Sequence, residues 1–165
     1  MPWLSAPGSG VLKPALEITL KHWRWCLETN ALALNLLAQG AAALMPADGR
    51  IIAMTSLGSR FALPDYAFIG ASKAALESLV RSLAVELGPR GIRVNAVSAA
   101  VVDTDALKAF AQREEMLAEF ARRAPLGLEL LPAHVADAVF LLCLPEAAMI
   151  TGQTLVVDGG ATWRL

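Results

Sequence analysis

Apolar residues recur at spacings of three and four from Glu17 to Met45: Leu20, Trp23, Leu27, Ala31, Leu34 and Ala38 share one face. Pro46, Asp48 and Gly49 end the run, so the segment reads as one long amphipathic helix. Arg50 to Thr55, "RIIAMT", is short and apolar and leads into Ser and Gly, the pattern of a buried strand. Pro64 and Asp65 mark a second helix start, with Asp65 as N-cap, and that helix runs to about Leu87 before Gly88-Pro89. "GIRVNAVS" reads as a second buried strand. Asp103 to Arg123 is charged and helical, Pro132 to Leu144 forms another helix, and "TGQTLVVDGG" gives a third short strand with a Gly-Gly turn. Strands alternating with helices predict an α/β fold, a parallel sheet with helices on its faces. No internal repeat or low-complexity tract interrupts the pattern.

Composition narrows the class. The chain has 165 residues, 56% hydrophobic and 18% charged, and can bury a core of its own. A net charge of −1 argues against a nucleic-acid partner. Cys26 and Cys143 lie far apart with no CxxC and no metal-ligand spacing, and read as reduced thiols. "ALALNLLAQGAAALM" is too short to span a bilayer and carries Asn35 and Gln39. The opening "MPWLSAPGSG" has no charged region followed by an apolar one, as a secretion signal requires. The expectation is a soluble, cytoplasmic protein without a membrane partner.

Candidate chemistry gathers in Asp65 to Glu77, "DYAFIGASKAALE". Tyr66 is the only tyrosine, and Lys73 follows it by seven residues, about 700° of helix, which puts both within ~20° of one face. An ammonium beside a phenol favours the phenolate, so a lowered Tyr66 pKa is expected, and its hydroxyl could donate to a developing oxyanion. Ser56 leaves the end of the "RIIAMTS" strand, where ligands bind in parallel sheets. Thr104 and Asn95 accompany the next strand, with Asn95 inside it and structural. On spacing alone a surface Tyr and Lys is the commoner reading of the pair, and a turn residue that of Ser56. His22 and His134 read as capping or solvated residues, and of Trp23 and Trp25 one faces the core. "AQREEMLAEFARR" reads as a solvated helix face.

The ordered set "LETNALALN", "IIAMTSLGS", "YAFIGASKAALESLVRSLAVEL", "GIRVNAVS", "VVDTD" and "ITGQTLVVDGG" resembles the second half of the short-chain dehydrogenase/reductase family, from about Ser9 to Gly160. Most members place the tyrosine four residues before the lysine, where this chain has Ile69. Tyr-x6-Lys looks like the enoyl-acyl-carrier-protein reductase branch, and "SGVLKPALEITLKHWRW", "TSLGSR" and "VSAAVVDTDALK" look most like its NADPH-dependent type III subgroup. The resemblance implies the C-terminal part of a Rossmann-like doubly wound sheet, family strands five to seven, with the first βαβ units absent. It implies that Tyr66 stabilises an enolate oxygen while Lys73 binds the nicotinamide ribose. Ser56 takes the active-site serine position and Asn30 that of a helix asparagine supporting the lysine. Val102 and Thr104 match a segment contacting the nicotinamide carboxamide and phosphates. Residues 105–124 match a substrate-covering segment. The implied cofactor is NADPH, with NADH open, the substrate an enoyl-acyl carrier protein or enoyl-CoA, and the pathway fatty acid synthesis.

Departures from the pattern are also visible. The family's Gly-x3-Gly-x-Gly turn, which seats the pyrophosphate, has no counterpart. "GSGVLK" at Gly8 to Lys13 lacks the preceding strand and third glycine, and Ser5-Ala6-Pro7-Gly8 stands for Asn-Asn-Ala-Gly. Ala99-Ala100 stands for Pro-Gly, as in the type III subgroup. Residues 1–14 are expected to be an irregular remnant of a single domain spanning 1–165, with at most a strand stub at Trp3-Leu4. The "RIIAMT" strand would then present an open edge. Weak cofactor binding follows, and three readings stand together: an impaired enoyl reductase, a ketoacyl or other short-chain reductase, and a non-catalytic oligomerisation module. The family resemblance implies a homo-oligomer formed through the Trp23–Met45 and Ala67–Leu87 helices.

Overall fold

The computed structural model describes residues 2–5, 10–105, 107–109 and 112–163, with backbone alone described for 2–5. Four strands, β1 (Pro2–Ser5), β2 (Arg50–Ser56), β3 (Arg93–Ala99) and β4 (Thr154–Val157), form a parallel sheet in the order β1-β2-β3-β4. The helices are α1 (Leu20–Leu27), α2 (Ala33–Leu44), α3 (Ala67–Leu87), α4 (Arg113–Arg123) and α5 (Pro132–Cys143).

Both sheet faces are covered, which is why β2 is apolar from Ile51 to Met54 and β3 is buried from Arg93 to Ser98. Ile51 and Ala53 of β2 pack with Leu34 and Ala38 of α2 and Leu76, Val80 and Leu83 of α3. The alternate residue Ile52 packs on the other side with Ala138 and Leu142 of α5, and Met54 joins it. A third cluster joins Phe120 and Ala124 to Leu130 and Ala161. Asn95 lies buried in β3, donates to the Ile150 carbonyl at 2.8 Å and accepts from Gln153 N at 3.0 Å. Its role is the structural one expected, holding the approach to β4.

Three expectations change. The first long helix starts at Thr19, not Glu17: Thr19 and His22 form a reciprocal cap, and Ala15–Glu17 is a separate 3₁₀ turn. A π-helical segment, Glu28–Leu32, also interrupts it, a local widening that hydrophobic periodicity does not register. The second helix is capped by Tyr66 rather than Asp65, whose φ of 57° puts it in the left-handed region, with its carbonyl accepting from Lys13 N at 2.9 Å. Finally, Pro2–Ser5 pairs along all four residues with β2, so that β2 is an inner strand and the open edge belongs to β1. Among the described residues of the charged segment, Arg113–Arg123 and a short turn at Leu107–Ala109 are helical. Ala6 to Gly8 of the Ser5-to-Gly8 comparison, and Gly8 and Ser9 of "GSGVLK", lie outside the described residues. Gly10 itself lies against Ile69 and Cys26.

Candidate active site

Ser56 is the last residue of β2, at the carboxyl end of the sheet, and accepts a hydrogen bond from Gly58 N at 3.0 Å. That bond uses a lone pair of the hydroxyl oxygen and leaves its proton to be donated. Ser56 also hydrogen-bonds Tyr66, in the sense that favours the phenolate. Burial nevertheless outweighs it and raises the Tyr66 pKa above 10.0. The expectation of a lowered value is therefore corrected: with Tyr66 half-buried at the helix cap, desolvation of the phenolate is the larger effect.

Lys73 is 4% exposed and donates from Nζ to the Met54 carbonyl at 3.0 Å, tying α3 to β2 just behind Ser56. Burial lowers its pKa to about 8. One residue earlier, Ser72 donates to the Ile69 carbonyl at 2.8 Å and accepts from Asn30 Nδ2 at 3.0 Å. Asn30, fully buried in the π-helical segment, also donates to the Cys26 carbonyl at 3.0 Å. Ser56, Tyr66, Lys73 and Asn30 thus converge on the first two turns of α3. Ile69, in the more usual tyrosine place, is 8% exposed and packed beside Gly10 and Cys26, a setting for a hydrocarbon rather than a reacting hydroxyl.

Val102 and Thr104 stand on a separate loop, after β3 and at the same end of the sheet, since Ser56 pairs in register with Ala99. Val102 packs half-buried against the Phe120 cluster, while Thr104 is exposed and its carbonyl caps Leu107 N at 3.0 Å. Arg113 donates from Nε to Asp103 at 3.0 Å and holds that carboxyl below its usual range, pinning α4 to this loop. His22 and His134 cap helix starts through Nδ1, as expected.

Sequence reasoning passed over three residues here. Gly58 allows the Tyr66 ring to lie on its backbone: a Cβ there would stand 2.5 Å from Tyr66 Cδ1 and Cε1. Gly70 lets the Gly58 carbonyl press against α3, where a Cβ would overlap that oxygen. A glycine inside a helix costs stability, so its presence at Gly70 was a readable signal of close approach. Glu77, one turn beyond Lys73, is buried and bonded to the loop around Ser56. Helical spacing could have placed it beneath Lys73, but spacing does not reveal burial.

A family model for enoyl-(acyl carrier protein) reductase matches residues 5–162. The 1-cyclohexenylcarbonyl-CoA reductase of Streptomyces collinus is 39% identical over 96% of this chain and 57% of its own length. The NADPH-named enoyl-[acyl-carrier-protein] reductase FabI of Staphylococcus aureus is 36% identical over 81% of this chain and 52% of its own. An NADH-named FabI of Synechocystis is 35% identical over 94% and 60%. The crystal structure of Plasmodium berghei enoyl-acyl-carrier-protein reductase with triclosan superposes with a TM-score of 0.92 at 28% identity, covering 99% of this chain and 58% of that one. The chain spans somewhat over half the length of these relatives. With the tyrosine at the helix cap, the serine at the strand end and the match running through both, the chain belongs to the enoyl-(acyl carrier protein) reductase family of short-chain dehydrogenase/reductases.

Proposed function

We propose that the chain carries the reacting half of an oxidoreductase that reduces the carbon–carbon double bond of enoyl thioesters in fatty acid synthesis, with NADPH as reductant, in the cytoplasm. The observation that carries this reading is the Ser56–Tyr66 hydrogen bond at the end of β2, with Lys73 seven residues along α3. A bound nicotinamide supplies the hydride. Tyr66, a neutral phenol whose proton burial holds still more firmly, donates it toward the thioester oxygen as negative charge develops there. Ser56 supports that donor. Lys73 presents an ammonium with three donors, one directed to Met54, which suits ribose hydroxyls. Asn30 holds the Ser72–Lys73 turn, Val102 and Thr104 would face the carboxamide and phosphates, and the segment 105–124 would cover the substrate.

These residues fit the nicotinamide end of the cofactor. The pyrophosphate end is different: among the described residues no strand leads through a glycine-rich turn into a helix N-terminus. NADPH binding by this chain is therefore weak, and turnover is measured at saturating NADPH. The test is NADPH oxidation with crotonyl and acetoacetyl thioesters. Crotonyl turnover should exceed acetoacetyl turnover and fall roughly 100-fold or more in Tyr66→Phe. Faster acetoacetyl turnover would replace the enoyl reading with a ketoreductase.

A second reading, an oligomerisation module, is favoured by the exposed apolar side chains Trp25, Leu32, Leu36, Leu37 and Leu44 on the α1–α2 helix and Val85 on α3. A stable oligomer without turnover on either thioester would select it.

A further inference from the structure

We propose that Glu77 is a positioning residue that clamps both ends of the Ser56-bearing loop and so sets the Ser56–Tyr66 contact. The assignment deepens the reading of Ser56 and Tyr66 as the reacting pair, and rests on it.

Glu77 is 5% exposed and sits on α3 one turn beyond Lys73. Its Oε1 accepts from Thr55 Oγ1 at 3.0 Å and from Ser59 Oγ at 2.5 Å. Those two residues bracket Ser56, Leu57 and Gly58. Its Oε2 faces Arg60, with Nε at 3.4 Å and Nη2 at 3.5 Å, and Arg60 is half exposed. A buried carboxylate is costly unless fully bonded, so the loop side chains that satisfy it are themselves held against α3. Between the two clamped ends, Gly70 admits the Gly58 carbonyl against α3 and Gly58 admits the Tyr66 ring. The Gly58 N–H then meets Ser56 Oγ, leaving the Ser56 proton to Tyr66. Helix α3 therefore carries Tyr66 at one end and, three turns on, the group that fixes the partner of Tyr66. Arg60 closes the outside of the network, and its loss leaves the two Oε1 bonds in place.

The test uses the fact that Tyr66 is the only tyrosine in the chain. Its ionisation can be followed through the phenolate absorbance, or a single ring carbon resonance after labelling, without turnover or cofactor. Ser56→Ala should raise the apparent Tyr66 pKa by removing the bond that favours the phenolate. Glu77→Leu should shift it the same way, and Glu77→Leu combined with Ser56→Ala should shift it no further than Ser56→Ala. Glu77→Gln keeps an oxygen for Thr55 and Ser59 and should titrate as the unaltered chain does. Thr55→Val, nearly isosteric, should reproduce part of the Glu77→Leu shift if the leucine variant folds poorly. Glu77→Leu or Thr55→Val that lowers the melting temperature while leaving the Tyr66 titration in place would reduce Glu77 to a structural residue. A Ser56→Ala titration identical to that of the unaltered chain would instead remove the Ser56–Tyr66 contact, and with it the reading on which the proposal rests.

Discussion

Replacing Gly70 with alanine separates helix propensity from the local geometry of the site. Inside an unobstructed helix, Gly→Ala stabilises by ~0.8–1.0 kcal/mol. Gly40, exposed in α2, meets that condition, because a Cβ there encounters nothing within 4 Å. At Gly70 the added carbon would overlap the Gly58 carbonyl oxygen, a backbone atom that cannot rotate away. Forcing a methyl into a filled space costs about 1–3 kcal/mol, which cancels or exceeds the helix gain. Gly40→Ala should therefore raise the melting temperature by ~2–4 °C, since 1 kcal/mol corresponds to about that shift for a chain of this length. Gly70→Ala should be unchanged or destabilised by up to ~2 kcal/mol. Relief of the overlap moves Gly58, and with it the Ser56 bond and the seat of the Tyr66 ring. Thermal melts followed by circular dichroism, with the Tyr66 titration alongside, measure both effects. A Gly70→Ala protein stabilised as much as Gly40→Ala, with its tyrosine unaltered, would refute the close approach.

Three further outcomes follow from the same structure. Burial depresses the Lys73 pKa to about 8, so between roughly pH 8 and 10 the unfolded chain binds a proton that the folded chain has released, and stability should rise with pH. Above pH ~10 the sign reverses, because the raised Tyr66 pKa makes the unfolded chain lose its phenol proton first. Urea midpoints across this range check both limbs, and a flat profile would contradict the burial of Lys73. Leu36→Glu, which puts a charge among Trp25, Leu32 and Leu37, should dissociate the oligomer in light scattering, and a monomeric unaltered chain would overturn that interface. NADPH fluorescence titration should show binding weaker than micromolar, since among the described residues no glycine-rich turn leads from a strand into a helix N-terminus, and micromolar affinity would contradict it.

The fold was legible because its signals are repetitive. Ile51 to Ala53 are apolar on both faces, Val94, Ala96 and Val97 bring apolar side chains to both faces of the next strand, Gly88-Pro89 stops α3, and Pro132 opens α5. Features with a single local cause were not legible. The π-helical turn at Glu28–Leu32 leaves apolar spacing nearly intact, and β1 is only four residues long. The left-handed Asp65 shifted the cap by one residue, and the burial that raises the Tyr66 pKa leaves no trace in the spacing from which a lowered value was argued. For the candidate site, spacing singled out Tyr66 and Lys73 and strand position singled out Ser56. The family resemblance supplied Asn30, Val102 and Thr104. Glu77 escaped because its importance lies in what buries it, the loop of Thr55, Ser59 and Arg60, and contacts across a turn leave no period in the sequence.

The positions of these residues along the chain carry a further consequence. Met54, Thr55, Ser56, Gly58, Ser59, Tyr66, Gly70, Lys73 and Glu77 all lie between the end of β2 and the middle of α3, so the contacts that hold the reacting pair close over short loops. Closing a short loop costs less conformational entropy than joining distant segments, and such contacts form with the local unit rather than after it. The chain's longer-range elements supply the walls: β3 and α5 behind β2, and the π-helical Asn30 against Ser72. Preorganisation of the tyrosine is thus a property of one strand–loop–helix unit, separable from the affinity for the far end of a dinucleotide. That separation makes the Tyr66 titration informative even for a protein that binds NADPH poorly. If the tyrosine is held as the geometry requires, Ser56→Ala and Glu77→Leu will move its ionisation together in the absence of any ligand.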